Sequence, residues 1–285
     1  MTDNYVVLLG SKGGPAIRPG SSMPTSHLAC LSGEKIVVDC GLGVTRALVD
    51  QDVELKTLKT IFITHLHSDH YLELGPLIHT AWTAGLKTPV TIWGPEGLQR
   101  YWDAFLVSMK DDIDLRIADE GRPDLASLVT VHAIDAGFVT DVGPVSVSAI
   151  RTLHPPLKDC FALSLKSDVH HVVFSGDTAP LPELTNFAKG ADLLVHEAML
   201  EAALPSLVAR VGNGTDALMR HLQNSHTTAQ DAAKTATVAG VKRLALGHLV
   251  PADDPTFAHD AWHEAVSPFW QGPLFIGQDG LRIDI

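Results

Sequence analysis

Cysteine is scarce in this 285-residue chain. Cys30, Cys40 and Cys160 form an odd set with no C-x-x-C pair, which argues against a disulfide framework and for free thiols in a reducing compartment. Basic residues are the minority, 21 Lys and Arg against 33 Asp and Glu, for a formal charge of −12. Polyanion binding draws on clustered Lys and Arg, and no such cluster is visible, so a nucleic-acid partner is not expected. No apolar run approaches the ~20 residues of a membrane span. The stretch from Met1 to Leu9 has no basic region ahead of its short apolar run, so no signal peptide is expected. A cytoplasmic protein without membrane contact is the resulting expectation. Low-complexity segments, short repeats and a Ser/Gly-rich linker are also missing, which favours one domain over residues 1–285.

What is present suits a packed interior: 45% of residues are hydrophobic and 19% charged. Short β-type runs recur, among them Tyr5–Leu9, Lys35–Asp39, Thr60–Ile63, Val90–Trp93, Val145–Ile150, His171–Phe174 and Arg243–Leu246. Helical patterns fall at Leu72–Ala84, Glu96–Met109, Pro182–Lys189, Leu200–Val211, Thr228–Ala239 and Ala258–Val266. The Thr228–Ala239 helix has the clearest signals. Thr227 and Gln230 have capping-box spacing, an alanine stripe follows, and Gly240 suits the C′ position. The order is an α/β one, in two similar halves meeting near residue 130.

Directly after the apolar run Thr60–Ile63 stands His65-Leu66-His67-Ser68-Asp69-His70. Three imidazoles and a carboxylate in six positions at a strand end supply nitrogen and oxygen ligands for divalent ions. His65 and His67 can address one ion, while Asp69 and His70, opening the next helix, can reach a second. One loop cannot complete two sites. His154, Asp177 and His248 each follow another strand-like run, and parallel neighbours would bring these ends to one rim of a sheet.

The H-x-H-x-D-H motif, the later His154, the Ser-Gly-Asp at 175–177 and the Gly-His at 247–248 resemble the metallo-β-lactamase superfamily, along nearly the whole chain. The resemblance implies a four-layer αββα sandwich. It also implies a first metal on His65, His67 and His154, a second on Asp69, His70 and His248, and Asp177 as the bridge between them. A His at position 67 matches the zinc hydrolases, whereas the di-iron flavoproteins of the superfamily carry Glu there. Two divalent ions are expected, zinc first, with Mn²⁺ or Fe²⁺ as other occupants.

Ser21–Thr25, Val37–Gly41, His196–Met199 and His226–Ala229 resemble the branch of tRNA 3′-processing endonucleases and their arylsulfatase and phosphodiesterase relatives. The resemblance gives Asp69 the task of orienting or deprotonating the attacking water, and it pairs His226 with Glu197 to protonate the leaving group. Those endonucleases insert a long tRNA-gripping arm between the third His and the bridging Asp. Here His154 and Asp177 lie only 23 positions apart. The expectation is therefore a small-molecule substrate with an ester-type bond: a phosphodiester, aryl sulfate, carboxylic ester or lactone. The alternatives are a tRNA-processing endonuclease and a mononuclear iron dioxygenase on the same fold. A homodimer is allowed for. The loops Gly10–Thr25, Met109–Asp124 and Ala202–Asn224 are expected to set specificity, His27 and His221 to border the pocket, and Gly10–Gly14 to be a flexible turn.

Overall fold

The computed structural model describes residues 4–211 and 216–285. Its strands are β1 (Tyr5–Gly10), β2 (Ser26–Leu31), β3 (Glu34–Cys40), β4 (Thr60–Phe62), β5 (Val90–Gly94), β6 (Val129–Ala133), β7 (Val139–Val142), β8 (Val145–Arg151), β9 (Phe161–Lys166), β10 (His171–Phe174), β11 (Leu193–Met199), β12 (Leu244–Val250), β13 (Leu274–Ile276) and β14 (Leu281–Asp284). They form two seven-stranded sheets, ordered β14-β1-β2-β3-β4-β5-β6 and β13-β12-β11-β10-β9-β8-β7. The first runs antiparallel through β1, β2 and β3, then parallel to β6. The second repeats the plan, antiparallel from β7 to β10 and parallel from there to β13. The expected halves are thus real, except that β14 crosses back to pair with β1.

The helices are α1 (Val44–Asp50), α2 (Ser68–Tyr71), α3 (Leu74–Thr83), α4 (Leu98–Ser108), α5 (Lys110–Glu120), α6 (Leu125–Leu128), α7 (Pro182–Phe187), α8 (Leu204–Val211), α9 (Asp216–Ser225), α10 (Ala229–Ala239) and α11 (His259–Val266). Three apolar layers hold the elements together. Val6, Leu8, Val38 and Phe62 of the first sheet meet Val147, Phe161, Leu163 and Val195 of the second. The outer face of the first sheet packs on α1, α3 and α4 through Leu48, Leu77, Ile78, Trp82 and Trp102. The outer face of the second packs on α7, α10 and α11 through Leu184, the alanine stripe of α10 and Trp262. The result is the αββα sandwich that the resemblance implied.

Because β11 and β12 are buried on both faces, they show no apolar–polar alternation, and their polar residues His196, Glu197 and His248 are buried as well. Some elements depart from the sequence reading. The Met109–Asp124 segment, expected as a loop, is largely α5. The Ala202–Asn224 segment is largely helical, as α8 and α9, with its residues 212–215 outside the described set. The cap of α10 is Thr228, whose side chain accepts from Asp231 N, one position later than the predicted box. Thr227 instead donates its hydroxyl to the Thr178 carbonyl at 2.6 Å. Among the described residues, no helix is long and apolar enough to cross a membrane.

Candidate metal centre

The H-x-H-x-D-H segment leaves the C-terminal end of β4 and turns into α2. Strands β8, β10 and β12 bring His154, Asp177 and His248 to the same rim. His248 owes its position to a bulge. Glu197 pairs with Gly247 and Ala198 with Leu249, so His248 is the extra residue between them, with φ of 42°. A bulge re-aims one side chain without disturbing the ladder on either side. Here it turns an imidazole out of a fully buried strand towards the other donors.

His65, His67, His154 and Asp177 form one group whose donor atoms lie within 4.8 Å of one another, and Asp69, His70 and His248 form a second. In the first, His67 Nδ1 stands 3.3 Å from His65 Nε2 and 3.0 Å from His154 Nε2. Ligands about 2.0–2.1 Å from a tetrahedral zinc are spaced on this scale. In the second, His248 Nε2 lies 3.4 Å and His70 Nε2 3.6 Å from Asp69 Oδ2. Asp177 Oδ2 stands between the groups, 3.6 Å from His65 Nε2, 3.5 Å from His70 Nε2 and 3.1 Å from His248 Nε2. The buried His70 Nε2 and Asp177 Oδ1 have no hydrogen-bond partner. Such orphans are costly unless a ligand or ion meets them, and two facing donor sets fit divalent cations.

Further contacts orient these rings. His70 Nδ1 lies 2.8 Å from Asp39 Oδ2, and Asp39 also accepts from Thr64 N at 2.7 Å. His154 Nδ1 donates to the Ser225 carbonyl at 2.8 Å, and His65 Nδ1 meets Thr64 Oγ1 at 3.1 Å. Each contact commits one nitrogen and leaves the other for an ion. Burial holds His65 well below the ordinary imidazole range, with the charge of His70 adding to it, and pulls His154 down to about 4. Neutral rings with open lone pairs are the form that binds metal. Burial also opposes the charge on His70, but Asp177, Asp39 and Asp69 outweigh it and hold that ring well above 6.5.

Glu197 and His226 come together beside the cluster, His226 Nδ1 lying 2.8 Å from Glu197 Oε2. Glu197 Oε1 accepts from Thr178 N at 2.6 Å, which ties the pair to the residue after Asp177. The other nitrogen of His226 is left for a ligand in the adjoining cavity of about 380 Å³. That cavity is lined by Lys12–Ala16, Arg18, Asp69 and His226, with Leu207, Leu218 and Leu222 of α8 and α9 as an apolar wall.

Sequence reasoning missed several of these residues. Gly10–Gly14 is no idle turn: Gly14 N donates to Asp69 Oδ2 at 2.8 Å, and a side chain on Gly13 would collide with His248 and Val250. His221 does line the cavity, whereas His27 is buried behind the cluster, stacked on Phe174. Of the three loops expected to set specificity, Gly10–Thr25 and Ala202–Asn224 contribute to the wall and Met109–Asp124 does not. Asp39 could have been suspected from its place at a strand end, but the carbonyl of Ser225 leaves no trace in a sequence.

The chain matches the family model described as "Anti-Pycsar protein Apyc1" over residues 7–211. It is 30% identical over 283 residues to a ribonuclease Z of Mycobacterium bovis, covering 98% of each chain. To that of Mycobacterium sp. strain KMS it is 31% identical over 284 residues, covering 98% of this chain and 95% of the relative. The metallo-β-lactamase-fold protein YhfI of Bacillus subtilis superposes with a TM-score of 0.74 at 22% identity, covering 99% of both chains. The short form of human tRNase Z gives 0.68 at 20% identity, over 98% of both.

These relatives run against the expectation of a small-molecule substrate with nucleic acid unlikely, and favour the alternative of a tRNA-processing type. The missing arm does not set this chain apart, because the mycobacterial ribonucleases Z are themselves matched over nearly their full length. The net charge is a whole-chain count and says nothing of the cavity itself, where Lys12 and Arg18 stand. Matched by a family model over most of its length and by ribonucleases Z along nearly all of it, the chain belongs to the metallo-β-lactamase superfamily, in the branch of the Apyc1 and ribonuclease Z families, and is a metal-dependent hydrolase.

Proposed function

We propose that this hydrolase is a phosphodiesterase that cleaves RNA, in the manner named by its ribonuclease Z relatives. The observation that carries the reading is the His226–Glu197 pair at 2.8 Å beside the two donor groups. An RNA phosphodiester releases an alkoxide, a poor leaving group that needs a proton in the transition state. A buried imidazole held by a carboxylate at the cavity wall is suited to give it.

In this reading His65, His67 and His154 would hold a first divalent ion and Asp69, His70 and His248 a second, with Asp177 between the two groups and zinc as the expected metal. What such ions supply is a water acidic enough to yield a nucleophile at neutral pH, its pKa brought from about 15.7 towards roughly 7. Asp69, held by Gly14 N, orients the attacking water towards phosphorus. As the new P–O bond forms and the old one breaks, His226 passes its proton to the departing oxygen, and Glu197 stabilises the ring before and after. The products are one RNA end with a free hydroxyl and another with a phosphate monoester.

The test is incubation of zinc- or manganese-loaded protein with a tRNA carrying a 3′ extension and with the same tRNA lacking it, with ends mapped. Removal of the extension to leave a 3′-hydroxyl is the expected result. Intact RNA under conditions where bis(4-nitrophenyl) phosphate is hydrolysed would overturn the RNA substrate while keeping phosphodiester chemistry.

A further inference from the structure

The loop after β1 carries a lysine in a costly setting. Lys12 is only 4% exposed. Its ammonium donates to two backbone carbonyls, Gly13 at 2.9 Å and Gly14 at 3.2 Å, and among the described residues it forms no ion pair. An ammonium has three N–H donors, so one remains after these contacts. The backbone is fixed from both sides: Lys12 N donates to Met23 O at 3.0 Å, Thr25 Oγ1 donates to Lys12 O at 3.1 Å, and Lys12 bridges Pro24 and Leu249. The lysine is therefore held in place and does not drift into the interior by chance.

The carboxylates around it have other partners. Arg18, which lines the same cavity, pairs with Asp253 at 2.8 Å, and Arg210 shares Asp253 at 3.2 Å and meets Asp254 at 3.4 Å. Asp253 and Asp254 are thus engaged by the arginines, while Asp69 and Asp177, the carboxylates of the cavity wall, belong to the candidate metal centre. Burial pushes the Lys12 ammonium below its ordinary range; Asp253 and Asp69 oppose the shift, and the charges of Arg18 and Arg210 add to it. A buried cation is retained at such a place when something anionic completes it. The loop that carries it is the one whose Gly14 N–H holds Asp69.

We propose that Lys12 is a substrate-binding residue whose free N–H takes an anionic phosphate oxygen on the Asp69 side of the metal centre, so that it selects phosphate esters. This rests on the phosphodiesterase reading above. Binding comes from a charge-assisted hydrogen bond in a site shielded from water.

The test is Lys12→Met, which keeps the buried stem and removes the charge, with Lys12→Arg beside it. Metal-loaded proteins of equal metal content are titrated with inorganic phosphate and assayed on bis(4-nitrophenyl) phosphate. Lys12→Met is expected to weaken phosphate binding at least ~10-fold and to raise KM by a similar factor, the scale of one hydrogen bond to a charged group. Its Tm should stay level or rise, since an unpaired buried charge is gone, and Lys12→Arg should recover part of the affinity. Unchanged phosphate affinity would overturn the proposal, as would a loss accompanied by a lower Tm and no recovery with Arg. If the unaltered protein binds phosphate but turns over no phosphodiester, the reaction assignment fails by itself, and the phosphate titration still decides the role of Lys12.

Discussion

At the scale of single residues, a histidine is committed to a task by what its second nitrogen meets. His70 faces Asp39, His154 faces a carbonyl, and His226 faces Glu197. For His226, burial pulls the pKa down, but the charge and hydrogen bond of Glu197 more than offset it and raise it to about 9. Two consequences can be measured. Turnover of substrates with poor leaving groups should fall as pH rises through about 9, or somewhat lower once bound cations add their own repulsion. His226→Ala should lose that limb, costing ~10²-fold on alkyl phosphodiesters and little on nitrophenyl ones. A flat dependence on leaving group would end the general-acid role. The same shift also bears on stability. A pKa raised on folding contributes stability that is complete below 6.5 and lost as pH climbs through about 9, so Tm should decline there in the parent and not in the variant. The candidate donors were legible because four crowd into six positions. Asp39 and Ser225 were not, since they reach their imidazoles across 31 and 71 residues, and contacts at that range have no sequence period.

Among the elements, α10 shows where local signals stop deciding. Two adjacent threonines could each have capped it, and the tertiary partner settled the matter: Thr227 is drawn to Thr178 O, leaving Thr228 as the cap. Thr228→Ala should therefore cost ~1 kcal/mol of stability by chemical denaturation with turnover unchanged. An equal loss of turnover would mean that the helix start and the active site are one unit. Helix α5 escaped the reading for a different reason. Its surface is charged nearly all round, and its apolar residues are few, with Leu115 exposed. The i,i+4 pairs Lys110–Asp114, Asp112–Arg116 and Arg116–Glu120 support it instead. Strand β2 was overlooked because its Ser26 and His27 break the apolar run, although both are buried.

For the molecule as a whole, the donor atoms come from both sheets, the β4 loop of one and the β8, β10 and β12 ends of the other. An ion bound among them ties the sheets together, so metal content and thermal stability should move in step. Elemental analysis is expected to give close to two divalent ions per chain, and chelation should lower Tm. At a free concentration of 100 times its Kd, each ion adds ~2.7 kcal/mol. A Tm indifferent to chelator would place the metals outside the packed structure. The two-halves architecture was legible from the strand order, because each half brings its own antiparallel start and parallel end. The return of β14 was not, since Leu281–Asp284 has no feature that names Tyr5–Gly10 as its partner. That return has a bearing on timing. Asp279, just before β14, binds Ser11 through its N–H and hydroxyl and also takes the N–H of Met23, thereby framing the loop that carries Lys12 and Gly14. During synthesis both candidate donor groups, from His65 to His248, are made before Asp279. Until those last residues follow, β1 keeps an unpaired apolar edge and the loop beside Asp69 lacks its Asp279 anchor. The candidate donors are thus complete in the chain before the anchor of the loop beside them.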